Sequence, residues 1–340
     1  MTTHTIESSV QALLAPGKGL LAADESFPTI EKRFKELGIS SSEGNRRDYR
    51  ELLFTTPSLA ESISGVILFD ETIREKTSKG VPMPELIASL GMVPGIKVDA
   101  GTEALPAFPG EKFTLGLDGL RSRLAEYVKL GARFTKWRAV LAIGPGIPTE
   151  ACMRINARTH ALFAALSQEA GLVPIVEPEI LMDGDHTIER CEEVSVAVLE
   201  RTFEELSEQR VVLGQMILKT GMVLSGSECP TQAGLKEVAA ATVRCFRRAV
   251  PDAVPGIVFL SGGQPDIPAT QRLNAIVAAG SLPWKVTFSY GRALQDPAMK
   301  AWGGIPGNVA AAQAALAHRA RCNGLAVRGS YSDKAENSSP

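Results

Sequence analysis

The chain has 340 residues, 44% of them hydrophobic, and its 36 Lys and Arg nearly balance its 38 Asp and Glu. This length suffices to bury a large core, and the near-neutral charge argues against a nucleic-acid-binding surface or a polybasic membrane patch. The five cysteines and four histidines are scattered and include no CxxC pair, which argues against a disulfide framework and a histidine-based metal site.

The first residues, MTTHTIESSV, lack a basic segment followed by an apolar core, so we expect no secretory signal. No apolar run is long enough to span a bilayer. With unpaired cysteines, these features predict a cytoplasmic protein that binds neither membranes nor nucleic acid.

Short apolar runs alternate with longer amphipathic runs, a pattern typical of parallel strands that are buried on both faces and joined by helices. The predicted strands are Gly19–Asp24, Gly65–Asp70, Gly95–Asp99, Arg133–Val140, Val173–Glu179, Gln215–Thr220, Gly256–Ser261 and Lys285–Tyr290. The helical patterns between them include Leu117–Leu130, Thr149–Ala170, His186–Leu206, Gln232–Ala249 and Gln264–Ala279. Strand–helix alternation with right-handed crossovers favours an α/β fold, a (β/α)8 TIM barrel.

We expect residues 1–340 to form this single barrel domain, with a polar, Ser-rich tail that is mobile from about residue 330. An open doubly wound sheet is the alternative architecture. The lack of a GxGxxG motif after the first strand disfavours it.

Charged side chains accumulate at the carboxyl ends of five predicted strands: Asp24, Lys97, Asp99, Lys136, Arg138, Glu177, Glu179 and Lys219. Residues two apart share one face of a strand, so Glu177 and Glu179 point the same way. The carboxyl ends of barrel strands meet at one rim, which carries the active site of barrel enzymes. Singly, each residue is typical of a solvated rim or a structural ion pair. Together they indicate a function, because burying unpaired charge is costly.

Amine catalysis fits this combination of residues. A lysine is nucleophilic only when it is neutral, and nearby cations with partial desolvation favour the neutral amine. Lys97 and Lys136 beside Lys219 would supply both effects, so Lys219 is the candidate nucleophile. The glutamates would serve as general acid and base.

Glycine-containing turns follow the last two predicted strands. Ser261, Gly262 and Gly263 follow the seventh strand, and Gly291 with Arg292 follows the eighth. Barrels often bind phosphate there, since glycines let backbone N–H groups approach the anion and a helix N-terminus adds its dipole. Arg292 would clamp phosphate oxygens in a bidentate way. Either turn alone is also typical of an ordinary strand end.

These residues resemble the class I fructose-bisphosphate aldolase family. The matching segments run in family order from Leu20 to Gly324: LLAADES, EGNRRDYRELLF, GIKVDAG, FTKWRAV, VPIVEPEILMDGDH, MILKTGMVLSG, FLSGGQ, TFSYGRALQ and AHRARCNG. The resemblance implies a lyase of glycolysis and gluconeogenesis that reversibly cleaves fructose 1,6-bisphosphate to dihydroxyacetone phosphate and glyceraldehyde 3-phosphate. It implies no metal, no cofactor and a homotetramer.

The resemblance also implies roles for individual residues. Lys219 matches the Schiff-base lysine and Glu177 the main acid/base. Lys136 and Glu179 match supporting groups, and Asp24 matches the group that polarises the C4 hydroxyl. The positions that match the C1-phosphate site are Ser261, Gly262, Gly291 and Arg292. The positions that match the C6-phosphate side or line the cleft are Lys97, Arg138, Ser26, Thr29 and Arg33.

The chain departs from the family pattern at three places. Ser26-Phe27-Pro28 replaces Ser-Thr-Gly, Lys219-Thr220-Gly221 replaces Lys-Pro-Asn, and the tail stops without the family's frequent terminal tyrosine. The first departure leaves open a related lysine aldolase with a different acceptor, such as sedoheptulose 1,7-bisphosphate. A non-catalytic barrel used for protein binding is disfavoured because Lys219 and Glu177 are present, and a metal-assisted lyase because histidines are sparse.

Overall fold

The computed structural model of the chain describes residues 4–337. Its strands are β1 (Gly19–Ala23), β2 (Ile63–Leu68), β3 (Val93–Lys97), β4 (Thr102–Ala104), β5 (Lys112–Thr114), β6 (Phe134–Leu141), β7 (Val173–Ile180), β8 (Ile217–Thr220), β9 (Gly256–Phe259) and β10 (Lys285–Tyr290). All but β4 and β5 form a closed parallel barrel in the order β1-β10-β9-β8-β7-β6-β3-β2. The predicted TIM barrel is confirmed, and β4 with β5 adds an antiparallel hairpin that was not predicted.

Helices surround the barrel. They are α1 (Ile6–Leu13), α2 (Phe27–Glu36), α3 (Glu43–Phe54), α4 (Asp70–Arg74), α5 (Met83–Ser89), α6 (Leu120–Lys129), α7 (Glu150–Glu169), α8 (Ile188–Glu208), α9 (Leu235–Ala249), α10 (Asp266–Ala278), α11 (Arg292–Trp302) and α12 (Val309–Val327). The five helices predicted from periodicity correspond to α6 through α10. Among the described residues, no helix combines the length and apolarity needed to cross a bilayer.

Capping residues explain where predicted and observed boundaries differ. The Thr149 hydroxyl accepts the Cys152 backbone N–H, so α7 begins one residue later than predicted. The Thr187 hydroxyl caps α8 in the same way. The predicted strand Gly65–Asp70 ends early because Asp70 is the first residue of α4, where a carboxylate complements the helix dipole.

The lower half of the barrel interior is apolar. Alternate residues of the strands point inward, and they form a buried cluster of Leu20, Ala22, Ile67, Val93, Phe134, Val173, Ile175, Ile217 and Val258. Helix α1 closes this amino-terminal end with Val10 and Leu13. Each fully buried aliphatic side chain stabilises the fold by about 1.5–3 kcal/mol, which helps to offset the cost of the charged layer above.

The register of the strands places the charged residues at one level. Lys97 is the partner of Lys136 across β3 and β6, and Arg138 is the partner of Glu177 across β6 and β7. Lys136, Glu177 and Lys219 each lie two residues beyond an apolar inward-facing residue of the same strand. The barrel interior therefore changes from apolar to ionic toward the carboxyl ends of the strands.

The segment after α12 folds back on α10 and α12. Tyr331 is buried, its backbone N–H donates to Asn274 Oδ1 at 3.0 Å, and its hydroxyl donates to Glu336 Oε1 at 2.6 Å. Glu336 is also paired with Arg319. The mobility of the tail and the single-domain assignment stay predictions, and residues 338–340 of the tail lie outside the described residues.

Candidate active site

Opposite charges form a compact network at the carboxyl end of the barrel. Lys136 Nζ lies 2.6 Å from Asp24 Oδ2 and 3.1 Å from Glu177 Oε2. Lys219 Nζ lies 3.1 Å from the other oxygen of the same carboxylate, Glu177 Oε1. The four side chains are at most 12% exposed. Glu177 therefore bridges two lysines in a site from which water is largely excluded.

The electrostatics of this network separate the two lysines. Burial opposes ionisation of Asp24 and Glu177, but Lys136 and Lys219 outweigh it and hold the pKa of both carboxyls below their ordinary values. Burial likewise opposes the charge of Lys136, yet Asp24 and Glu177 raise its pKa above the ordinary value. Lys136 is therefore a fixed cation at neutral pH, and Lys219 stays the candidate nucleophile.

The two lysines near Lys219 are paired with carboxylates more fully than the sequence suggested. Lys97, expected to act on Lys219 as a nearby cation, has its Nζ 2.6 Å from Asp99 Oδ1. Lys136 is balanced by its two carboxylates. An excess of positive charge around Lys219 is therefore not what the structure shows. A proton on Lys219 instead has a direct acceptor in Glu177.

Arg138 and the start of α2 carry groups that the sequence predicted for the C6-phosphate side or the cleft. Arg138 is paired with Glu179, and 42% of its side chain is exposed. The Ser26 and Thr29 hydroxyls are 3.2 Å apart at the first turn of α2. Hydroxyls at a helix N-terminus and an exposed guanidinium are each suited to a phosphate.

Arg33 lies on α2 and is only 8% exposed. Its guanidinium is paired with Glu25 and, at 2.8 Å, with Asp296. Glu25 is also ion-paired with Arg50 at 2.7 Å. Of the two roles that the sequence allowed for Arg33, these contacts favour shaping the cleft over binding phosphate directly.

The turn after β9 lies against Arg292. Ser261 is buried, and Gly262 and Gly263 turn the chain with φ of +57° and +93°. A Cβ on Gly263 would lie 3.4 Å from Arg292 Nη2 and 3.3 Å from Met182 Sδ. Glycine is therefore required at Gly263 both by the backbone conformation and by the closeness of the guanidinium.

Arg292 is the first residue of α11, and Gly291 is its N-cap. Within residues 4–337, no carboxylate lies at ion-pair distance from Arg292, and the side chain is exposed. The α11 N-terminus and the turn after β9 thus offer an unpaired guanidinium, backbone donors and a buried hydroxyl to one anion.

Ser289 on β10 was missed by the sequence analysis. It is 1% exposed, and its hydroxyl has no hydrogen-bond partner among the described residues. Alternation along β10 places it on the barrel interior, because Phe288 and Tyr290 belong to the outer core. That alternation is the signal that identifies it. A buried hydroxyl without a partner needs an explanation, and a substrate contact would supply one.

Cavity volume does not identify the candidate site. A cavity of 620 Å³ opens at the amino-terminal ends of the strands, where Val93, Arg133 and Leu172 line it. This cavity lacks the cluster of charged side chains found at the opposite end of the barrel. There the charged atoms are paired at distances of 2.6–3.1 Å. The candidate site at the carboxyl end is therefore identified by its buried charges and by polar atoms without hydrogen-bond partners, and not by cavity volume.

Comparisons with known proteins agree with this geometry. Residues 5–340 match the family model described as "Fructose-bisphosphate aldolase class-I". The chain is 54% identical over 332 residues to a probable fructose-bisphosphate aldolase class 1 of Xanthomonas campestris, covering 97% of the chain and 99% of that protein. It is 49% identical over 328 residues to fructose-bisphosphate aldolase 1 of Toxoplasma gondii, with coverages of 96% and 90%. Its fold matches a Plasmodium falciparum fructose-bisphosphate aldolase with a TM-score of 0.95, at 47% identity and coverages of 96% and 95%.

Proposed function

The chain belongs to the class I fructose-bisphosphate aldolase family, and we propose that Lys219 attacks the C2 ketone of fructose 1,6-bisphosphate to form an imine. The products are dihydroxyacetone phosphate and glyceraldehyde 3-phosphate, and the reaction is reversible. The observation that carries this proposal is the 3.1 Å contact between Lys219 Nζ and Glu177 Oε1 inside a buried network. It gives the amine a proton acceptor within hydrogen-bond reach.

Glu177 carries the protons of imine formation. It accepts a proton from Lys219, and the neutral amine adds to C2 to give a carbinolamine. Glu177 then returns the proton to the C2 hydroxyl, which leaves as water while the iminium forms. Lys136, 3.1 Å from Glu177 Oε2, favours the ionised form of this carboxyl, so Glu177 is a carboxylate before the first transfer and again after the second.

Asp24 serves the cleavage step. Lys136 holds its pKa low, so it is an ionised acceptor for the C4-hydroxyl proton. As that proton leaves, the C3–C4 bond breaks and its electron pair moves onto C3, where the iminium stabilises it as an enamine. Glyceraldehyde 3-phosphate departs, the enamine is protonated at C3, and water hydrolyses the imine to regenerate Lys219.

The two ends of the cleft hold the two phosphates. The C1 phosphate is bound by Ser261, Gly262, Gly263, Gly291 and Arg292, with Ser289 as a further contact. The C6 phosphate is bound by Lys97, Arg138, Ser26 and Thr29, and Arg33 supports that side from below. Glu179 orients Arg138 through their ion pair.

Borohydride trapping tests the imine. Reduction in the presence of dihydroxyacetone phosphate should add the mass of the reduced adduct to the peptide that contains Lys219. Lys219→Met should show no adduct and no cleavage activity, and chelators should leave the wild-type rate unchanged. An adduct on Lys136 or Lys97 would overturn the assignment.

Phe27 favours a second candidate, an aldolase for a longer bisphosphate. It is 47% exposed at the start of α2, packs edge-on against Phe69 with centroids 5.2 Å apart, and lies under the Arg46 guanidinium at 4.9 Å. Pro28 also removes one backbone donor from the first helical turn. Comparing kcat/KM for fructose 1,6- and sedoheptulose 1,7-bisphosphate, in wild type and Phe27→Ala, tests whether this face selects the acceptor.

The assembly and location belong to the same proposal. The family resemblance supports a homotetramer, a cytoplasmic location and a place in glycolysis and gluconeogenesis. All five cysteines are free and buried, which suits a reducing compartment. Sedimentation of the purified chain at micromolar concentration measures the oligomer directly, and a monomer would contradict it.

A further inference from the structure

Helix α12 and the segment that follows it bring together an imidazole, a thiol and a carboxylate, three groups that bind metal ions in proteins. We propose that His318, Cys322 and Glu336 bind one borderline-soft divalent cation, Zn²⁺ or a close analogue, and that the ion fastens residues 331–337 to α12. These residues take no part in the proposed catalysis. The site therefore stands or falls independently of the proposed function.

The spacing of the donor atoms suits a tetrahedral ion. His318 and Cys322 are four residues apart on α12 and share one face of the helix. His318 Nε2 lies 3.7 Å from Cys322 Sγ and 3.5 Å from Glu336 Oε2, and all three atoms lie within 4.8 Å of one another. Tetrahedral Zn²⁺ with ordinary N, O and S bond lengths needs donors roughly 3.3–3.7 Å apart, and both distances from His318 Nε2 meet this requirement.

The donor set narrows the choice of metal. Imidazole and thiolate select Zn²⁺ and similar ions over Mg²⁺ and Ca²⁺, which prefer oxygen alone. On binding, the Cys322 thiol gives its proton to solvent, so thiolate and carboxylate balance the two charges of the ion. Three protein ligands leave a fourth position for water.

The surroundings orient the carboxylate. Tyr331 donates to Glu336 Oε1 at 2.6 Å, and the Arg319 guanidinium donates to Glu336 Oε2. Such outer hydrogen bonds normally fix ligating carboxylates. The positive charge of Arg319 weakens the attraction for a cation, so affinity should be moderate and should depend on all three ligands.

The ligands are accessible but protected. The side chains of His318 and Glu336 are 19% and 16% exposed, whereas Cys322 is fully buried. An ion can therefore enter from the solvent side and reach the thiolate last. The sequence analysis disfavoured a histidine-based site because the histidines lie far apart. This site needs only one of them, and the fold supplies the carboxylate.

Cobalt spectroscopy of the full-length chain tests the site. Titration with Co²⁺ should produce a thiolate-to-cobalt charge-transfer band that saturates at one ion per chain and is displaced by Zn²⁺. Cys322→Ser should abolish the band. His318→Asn and Glu336→Gln should weaken binding at least roughly 10- to 100-fold. The matched control is Cys152→Ser, which alters a buried cysteine on α7 and should bind as wild type does.

A second readout concerns the tail. Zn²⁺ should slow backbone hydrogen exchange in residues 331–337 of the wild-type chain and should not do so in Glu336→Gln. Unchanged cleavage activity without metal shows that each variant is folded. If Cys322→Ser does not fold, His318→Asn decides the matter. A missing band in wild type, a band that survives Cys322→Ser, or wild-type affinity in His318→Asn would overturn the proposal.

Discussion

Glu177 contacts both of the buried lysines. Its two oxygens face different amines at the same distance of 3.1 Å. Its position two residues before Glu179 on a strand end was readable from the sequence, but its partners were not. The same carboxylate is paired with Lys136 and, in the proposed mechanism, receives the proton of Lys219, so we expect its replacement to affect proton transfer more than substrate affinity.

Glu177→Gln should therefore lower kcat by roughly 100- to 10,000-fold, because a general acid/base contributes that much to the rate and little to ground-state binding. Steady-state kinetics with fructose 1,6-bisphosphate measures it. The control is Glu205→Gln, another buried glutamate, which is paired with Arg158 between α8 and α7. A kcat within a few fold of wild type would reduce Glu177 to an ion-pair partner.

At the scale of elements, the loops that follow β9 and β10 form the proposed phosphate site. Each contains glycine and leads into a helix, and a helix N-terminus favours an anion. The sequence predicted both loops. Their mutual contact, in which Gly263 lies against the Arg292 guanidinium, depends on the neighbouring positions of the two strands in the barrel.

Arg292→Ala should reduce kcat/KM for fructose 1,6-bisphosphate and for fructose 1-phosphate alike, since both carry the C1 phosphate. The lost charge-assisted contact is worth about 1.5–3 kcal/mol, or roughly 10- to 150-fold. Arg248→Ala, on the exposed face of α9, serves as the control. Undiminished kcat/KM on both substrates would remove Arg292 from the site.

The element after α12 yields a prediction about stability. Truncation after Ser332 removes Glu336 and leaves the 3% exposed Arg319 without its nearest carboxylate. A lost partner of a buried charged group costs about 1–3 kcal/mol, so the melting temperature should fall.

Cleavage and tritium exchange into dihydroxyacetone phosphate should remain near wild type in the truncated chain, because the contacts of the removed residues 333–337 include α10 and α12, and none of these residues is part of the proposed catalysis. Calorimetry and steady-state assays on one preparation measure both effects. A large loss of exchange with the fold intact would show that the tail participates in catalysis.

At the scale of the whole molecule, buried titratable groups contribute to the response to acid. His160 on α7 is 1% exposed, and the effect of burial on it is larger than the opposing effect of the Glu177 charge. Burial lowers the pKa of His160 from 6.5 to about 4. Its unfolded form therefore binds a proton between these values while the folded form does not.

Because the folded pKa is depressed, the contribution of His160 to stability is complete above pH 6.5 and is lost as the pH falls to about 4. Over that range the wild-type free energy of unfolding should fall by up to about 3 kcal/mol more than that of His160→Leu. Urea unfolding at a series of pH values measures the difference, with His4→Gln as an exposed control. Parallel pH profiles of wild type and His160→Leu would contradict the assignment.

The sequence alone determined the barrel and the end of it that bears the site. Both follow from local patterns: apolar runs of strand length, helical periodicity between them, and charge at the strand ends. Only the tertiary structure decided which charges pair. Asp24 and Glu177 hold Lys136 as a cation, which distinguishes it from Lys219. The contacts in this network, of 2.6–3.1 Å, join residues that are far apart in the chain. Barrel closure and strand register set those distances, as they set the isolation of the Ser289 hydroxyl, and no local pattern encodes them.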